Sequence, residues 1–545
     1  MICWRLRAMT CRKYSQYSKG IIICLVYLLL TLLPILCLGL SGRGFETGIL
    51  NARRLGLMIN SLIIAFFTAA VCLLVAVFAS LRIHAGFRSP RIRAGSNSPR
   101  IHTGSQRRPL LRWYFLLLAP VPPYIYALSY MNLLRFLGRI FPEVLRYRMT
   151  GIFPCVAVET FVYLPFACAA ALAALDQVDE KEWSAALVFD SADHVFFKVI
   201  LPKQLPWLLS IGAVIFVLSV MDYSIPSLFQ VNVYSMEIFS DYSAAGQSVH
   251  SLYLSLPLMI TAAAVIILSF LPLKNISETM KANAGIRPVY SPALRAAGGA
   301  AVVLTLLQIL LPLISFIPYI LKPDAEIVSA LEELWNSCLS GLIAVLLLTL
   351  PAAAMALLLA SDDPFGKLCK PIIWLTAVLP LCVPGVLTGI GVLKLFSSTP
   401  LYVLRTGVFF PAVGLAIRYL PFAALIQYGC YLRIDRARIR AAALLQPRTG
   451  SAFTRVLLPS MAPGLIISGI VVFLLTLGDV GTSLVLMTAG REPMSVKIYN
   501  YLHYGSSEKV TYFCLMQMAV CIAFMGAVYF LLARPRFTGS SGPEN

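Results

Sequence analysis

Acidic side chains are scarce in this chain, and so is charge of any kind: 24 Asp and Glu stand against 44 Lys and Arg, and charged residues make up 12% of its 545 residues. Soluble globular proteins carry roughly 25% charge and are about 45–50% apolar. With 59% hydrophobic residues, this chain needs lipid as its solvent. The phosphate-cradling pattern G-x-x-x-x-G-K-[ST] is absent, so the chain has no visible means of binding ATP. Histidine is sparse and scattered (His84, His102, His194, His250, His503), without the spacing of metal ligands. No Cys-x-x-Cys pair occurs, and most cysteines, such as Cys24, Cys72, Cys168, Cys382, Cys430 and Cys521, sit inside apolar runs. They read as small apolar residues buried in helices rather than as a disulfide framework.

What is abundant is long apolar sequence. Runs able to cross roughly 30 Å of hydrocarbon lie near 20–40, 61–81, 113–134, 152–175, 206–222 and 250–273, then near 298–318, 337–360, 371–396, 408–431, 464–486 and 510–533. The first run, from Ile21 to Leu40, is too long for a typical signal-peptide core and lacks a small-x-small cleavage site, so it reads as a retained span. The formal charge of +20 raises nucleic acid as a partner, but the positive residues fall in short segments between spans. Five precede the first span, and eight Arg without an acid occupy 82–112, whereas 222–249 holds no Lys or Arg. This asymmetry places both termini in the cytoplasm and excludes nucleic acid as the natural reading. The four Arg in 135–150 run against it and point to an interfacial segment there. Within 82–112, SPRIRAGSN (89–97) is followed by SPRIHTGSQ (98–106), a polar tandem unable to bury a core and suited to contact with anionic headgroups.

A longer repeat organises the whole chain. YLPF recurs at 163–166 and 419–422, VILP at 199–202 answers VLLP at 456–459, and Asp222 answers Asp479. Asn60-Ser61 likewise echoes Asn336-Ser337 at the start of a span. Six crossings return a chain to its starting side, so two six-span halves, 1–285 and 286–545, share one orientation as parallel repeats. The fold class expected is an all-α polytopic membrane protein of about twelve transmembrane helices.

After the fourth span of each half comes a polar stretch and then an apolar run: DEKEWSAALVFDSADHVFFKVILPKQLP (179–206) and DRARIRAAALLQPRTGSAFTRVLLPSMAP (435–463). Each pairs small residues (Ala185-Ala186, Ala441-Ala442) with a later aromatic (Phe197, Phe453) and then Leu-Pro (Leu201-Pro202, Leu458-Pro459). The Ala pair favours helix and close approach. The stretches Asp190 to Asp193 and Pro447 to Gly450 supply a break, and each proline sits where a fresh helix can start. The layout resembles the signature loop of permeases in the binding-protein-dependent ABC importer family, of type I architecture. The Glu of that signature is replaced by Arg440 in the second half and by Ser184 or Trp183 in the first; its Gly is replaced by Gln446, and by Phe189 or Asp190. The segments 222–243 and 478–505 also look like external segments of fused permeases in the ferric iron and thiamine import group.

That resemblance implies a transport subunit of the bacterial inner membrane, not an enzyme. It would use no cofactor of its own. Its partners would be two ATP-binding-cassette ATPase subunits, an extracytoplasmic solute-binding protein and membrane lipid, and ferric iron is one solute the resemblance offers. The loops 176–206 and 433–463 would couple to the ATPase through Ala185, Ala186, Phe197, Leu201, Pro202, Ala441, Ala442, Gly450, Phe453, Leu458 and Pro459. Ionisable residues within spans are costly: Glu159, Asp222, Arg418 and Asp479 either line or gate a translocation path or form structural pairs. The rival function is a twelve-span secondary transporter driven by an ion gradient. Against it stand the modest linker between the halves (274–297) and the duplicated Ala-Ala…Leu-Pro loop.

Overall fold

The computed structural model describes residues 2–40, 51–85, 121–141, 150–175, 178, 180–246, 248–270, 290–320, 327–361, 369–432, 434, 453–504 and 507–533. They are almost entirely helical, and the sole β-type pairing among them is one bridge between Thr488 and Arg491. In chain order the first half holds α1 (Ile2–Leu40), α2 (Ala52–Ala85), α3 (Pro123–Ile140), α4 (Ile152–Leu175), α5 (Glu180–Phe189), α6 (Ala192–Val195), α7 (Leu201–Met221), α8 (Ser224–Leu228), α9 (Tyr234–Ala245) and α10 (Ser248–Phe270). Then follow α11 (Pro292–Ile320), α12 (Ile327–Leu359), α13 (Lys370–Val378), α14 (Gly385–Ser397), α15 (Phe409–Tyr431), α16 (Leu458–Gly478), α17 (Gly481–Leu486), α18 (Met494–Tyr504) and α19 (Ser507–Ala533).

Eight of these helices, counting continuous runs, are long and apolar enough to cross a membrane, or up to ten if each of two bent pairs is one span. The eight coincide with expected runs, from Gly20–Gly39 to Thr454–Gly478. Where a single span was expected at 371–396, the chain instead bends by 92° between Lys370–Cys382 and Gly385–Ser397. The cause is local: Pro380 lies in a 3-10 turn (Leu379–Cys382), and Pro384, with ψ 140°, cannot continue a helix or donate a backbone hydrogen bond. α3 carries Arg135 and Arg139 in its 18 residues, and within α19 the described apolar stretch is Val510–Gly526.

Proline also shapes the run into α7. The expectation of a fresh helix at Pro202 gives way to a continuous run from Ala192 to Met221. Its turn at Phe196–Ile200 widens to a π-helix, in which the Leu201 N–H reaches the Phe196 carbonyl. A proline ring clashes with the carbonyl four residues before it, and the wider turn relieves that clash. The same device precedes Pro459, at Phe453–Leu457.

Packing follows a crossed scheme. α2 lies along α4 and α7, and α12 lies along α15 and α16. The first helix of each half, however, packs on the other: α1 runs beside α14 and α12, and α11 beside α2 and α3. The largest apolar cluster accordingly draws residues from both halves, including Tyr27, Tyr124, Tyr234, Ala352 and Leu420. Large apolar side chains such as Phe66, Leu74, Leu346 and Leu350 point outward from α2 and α12, the pattern of helices that face lipid.

Candidate functional site

The intramembrane charges gather at the ends of α7 and α16. α16 stops at Asp479, whose backbone turns extended (ψ 119°). Its carboxylate then lies at the start of α17, where Oδ1 accepts the N–H groups of Thr482 (2.8 Å) and Ser483 (3.0 Å). Those are donors a helix leaves unpaired at its first turn, and a negative group there is favourable. Oδ2 accepts the Tyr419 hydroxyl at 3.0 Å and pairs with Arg418 Nη1 at 2.7 Å. Arg418 Nη1 also donates to Thr482 Oγ1 at 3.0 Å. The Asp479 side chain is fully buried, whereas Arg418 keeps a quarter of its side-chain surface exposed. The Ser495 hydroxyl closes the turn on the Asp479 carbonyl at 2.7 Å.

Two glycines make room for the guanidinium. A Cβ on Gly385, at the first position of α14, would stand 1.5 Å from Arg418 Nη1. A Cβ on Gly481 would stand 3.3 Å from the same atom, 3.3 Å from Tyr223 Cε1 and 3.7 Å from the Val386 backbone nitrogen. The broken helix, the second-half charges and Tyr223 of the first half therefore meet at one spot.

Asp222 repeats the geometry with fewer partners. It ends α7, Oδ1 accepts Ser224 N–H (2.9 Å) and Ser224 Oγ (2.6 Å), and Ser235 donates to its carbonyl at 2.9 Å. Its Oδ2 is buried without a hydrogen bond, as is the Tyr223 hydroxyl. Glu159, wholly buried on α4, accepts from Thr68 (3.3 Å), from Ser219 and from the Cys155 thiol (3.8 Å). Of the four ionisable residues picked out in the spans, the structure joins Arg418 directly to Asp479, sets Asp222 within electrostatic reach of Arg418, and leaves Glu159 hydrogen-bonded within the first half. Tyr419, Thr482, Gly385, Gly481 and Tyr223 were not singled out from sequence. Tyr419 opens the second YLPF, and Asp479-x-x-Thr482 has the spacing of a helix cap, so two of the five had a visible signal.

The loop before α7 forms a projection. Ser191 caps α6 by accepting the His194 N–H at 3.4 Å, which marks the expected break between Asp190 and Asp193. Ala185 is exposed, Ala186 is partly covered, and Val188 and Phe189 stand 78% and 89% exposed. Phe196 is buried against Tyr290, with rings 6.2 Å apart, whereas its neighbour Phe197 is 46% exposed. Phe196, not Phe197, therefore holds the projection to the body, and it is Phe196 that begins the π turn as Phe453 does in the second half. Leu201 packs inward; Pro202, Leu458 and Pro459 face outward. Ala441, Ala442 and Gly450 lie outside the described residues, as does the tandem at 89–106.

Among the described residues, cysteines are free thiols and no group of three or more His, Cys, Asp or Glu could hold a metal ion. Against known protein families and curated proteins, the chain matches none.

Proposed function

We propose that the chain is the fused, two-repeat permease subunit of an ATP-driven importer, with twelve spans in two parallel halves and both termini in the cytoplasm of a bacterial inner membrane. The observation that carries this reading is a duplicated hinge. Ser61 on α2 accepts the Tyr234 N–H at 2.9 Å, and Ser337 on α12 accepts the Met494 N–H at 2.8 Å. In each half that contact ties the second long helix to a short helix beyond a helix-ending aspartate, which itself follows a π turn and Leu-Pro at the same offset of 257 residues (201 to 458, 222 to 479). The crossed packing of α1 and α11 supports the same two-fold scheme.

In this reading the projection carrying Ala185, Val188 and Phe189 docks on a separate ATPase, and its second-half counterpart holds Ala441 and Ala442. The polar cluster around Arg418 lies on the solute path. ATP belongs to the partner, and a soluble receptor outside the membrane delivers the solute. Ala441→Asp or Ala442→Asp puts a charge where burial without a partner costs several kcal/mol. The ATPase should then dissociate while the spans remain inserted. Normal co-purification and transport by both variants would refute the docking role. Proton-driven uptake by the chain alone, in liposomes without ATPase, would establish the secondary-transporter alternative instead.

A further inference from the structure

We infer that the break between α13 and α14 forms a binding site for the anionic group of the transported solute, an oxyanion such as a carboxylate or a phosphoryl group. This rests on the permease reading above and names the chemistry of its path. The hydrogen bonds of α14 begin with Thr388 N–H to the Pro384 carbonyl at 3.0 Å, and no side chain caps the helix. The N–H groups of Gly385, Val386 and Leu387 are thus directed out of its end, at the positive pole of a 13-residue helix. In a discontinuous intramembrane helix such an end is a natural seat for an anion.

Independent observations point the same way. The Tyr223 hydroxyl is buried, with 3% of the residue exposed, and lacks any hydrogen bond. An orphaned buried donor of this kind is costly, and a ligand oxygen would remove that cost. Its ring edge, Arg418 Nη1 and the Val386 nitrogen all lie within 4 Å of the point where a Cβ on Gly481 would stand, so the glycine lets three electropositive groups converge on one spot. Arg418 uses Nη1 for Asp479 and Thr482; its Nε and Nη2 have no hydrogen-bond partner among the described residues. Asp479 is saturated by Arg418, Tyr419 and the two α17 N–H groups, so its charge is already answered. The unpaired Oδ2 of Asp222 is an acceptor within electrostatic reach of Arg418. It suits a solute that carries a hydrogen-bond donor as well as the anionic group.

The test uses the purified full-length chain in lipid nanodiscs, with thermal unfolding followed as sodium phosphate, sodium acetate or methylammonium chloride is titrated against sodium chloride at matched ionic strength. Phosphate, acetate or both should raise the unfolding temperature saturably, and whichever acts identifies the class of oxyanion. Tyr223→Phe, which removes only the hydroxyl, should raise the half-saturating concentration about tenfold or more, and Gly481→Ala should abolish the effect by crowding the spot where these groups converge. Stabilisation by neither anion, an unchanged response in Tyr223→Phe, or stabilisation by methylammonium alone would overturn the inference. Co-purification of the ATPase in the same preparation keeps such a failure separate from failure of the permease reading.

Discussion

At the scale of single residues, the Arg418–Asp479 pair is asymmetric in what each partner would leave behind. Removing Asp479 strands a guanidinium, the Tyr419 hydroxyl and two helix-end N–H groups, all of which it now satisfies. Removing Arg418 leaves a carboxylate that still accepts from Tyr419, Thr482 and Ser483. Breaking a buried pair typically costs about 3–5 kcal/mol. Asp479→Ala should fall at the upper end and Arg418→Ala clearly below it, measured by thermal or detergent unfolding; equal losses would mean that the ion pair alone matters. Gly385→Ala should behave like Arg418→Ala, because its methyl group would occupy the place of Nη1, 1.5 Å away.

At the scale of elements, the two serine ties make a matched pair. Ser61 and Ser337 each accept the N–H of a residue beginning a short helix, at 2.9 and 2.8 Å. Ser61→Ala and Ser337→Ala should each cost about 1 kcal/mol, and the two losses should agree and add. A much larger loss at one site would show that the halves are not mechanically equivalent. Beside these ties the charges are reversed: Glu237 on α9 meets Arg53 and Arg54 in the first turn of α2, whereas Lys497 on α18 meets Glu333 on α12. Glu237→Lys should therefore destabilise the α2–α9 contact by like-charge repulsion, and Arg54→Glu added to it should restore part of the loss. A double variant no better than the single one would mean that Arg53 dominates, although it is 75% exposed and exposed pairs contribute only about 0–1 kcal/mol.

At the scale of the whole molecule, the crossed packing of α1 and α11 ties the two halves together, so neither half buries its core alone. Expressed separately, residues 1–285 and 286–545 should recover the native fold only when both are present; a stable first half alone would contradict the shared core. The proposed orientation has its own check. Single cysteines placed in 222–249 and 487–509 of a cysteine-free chain should react with an impermeant reagent from outside, and those in 180–205 should not. Labelling of 180–205 from outside would invert the topology and detach the projection from any cytoplasmic partner.

Membrane residence and most helix positions were legible from composition and run length, because hydrocarbon imposes apolarity on every residue facing it. The repeated motifs were legible too: Leu-Pro at 201 and 458, Asp222 and Asp479, Ser61 and Ser337. The break at Pro384 carried a signal, the Pro384-Gly385 pair, but the length of the apolar run does not read it, because apolarity reports burial rather than direction. Sequence equally could not choose Phe196 over Phe197, which differ only in which side of one widened turn they occupy. Nor could it tell which acid Arg418 would meet. Asp222 and Asp479 end equivalent helices, but only the packing of α14 against α17 brings Gly385 and Gly481 under the guanidinium. Local patterns thus determined which segments are helices and where they stop. Which charges pair was decided by tertiary structure alone, since it depends on distances between residues far apart in the chain.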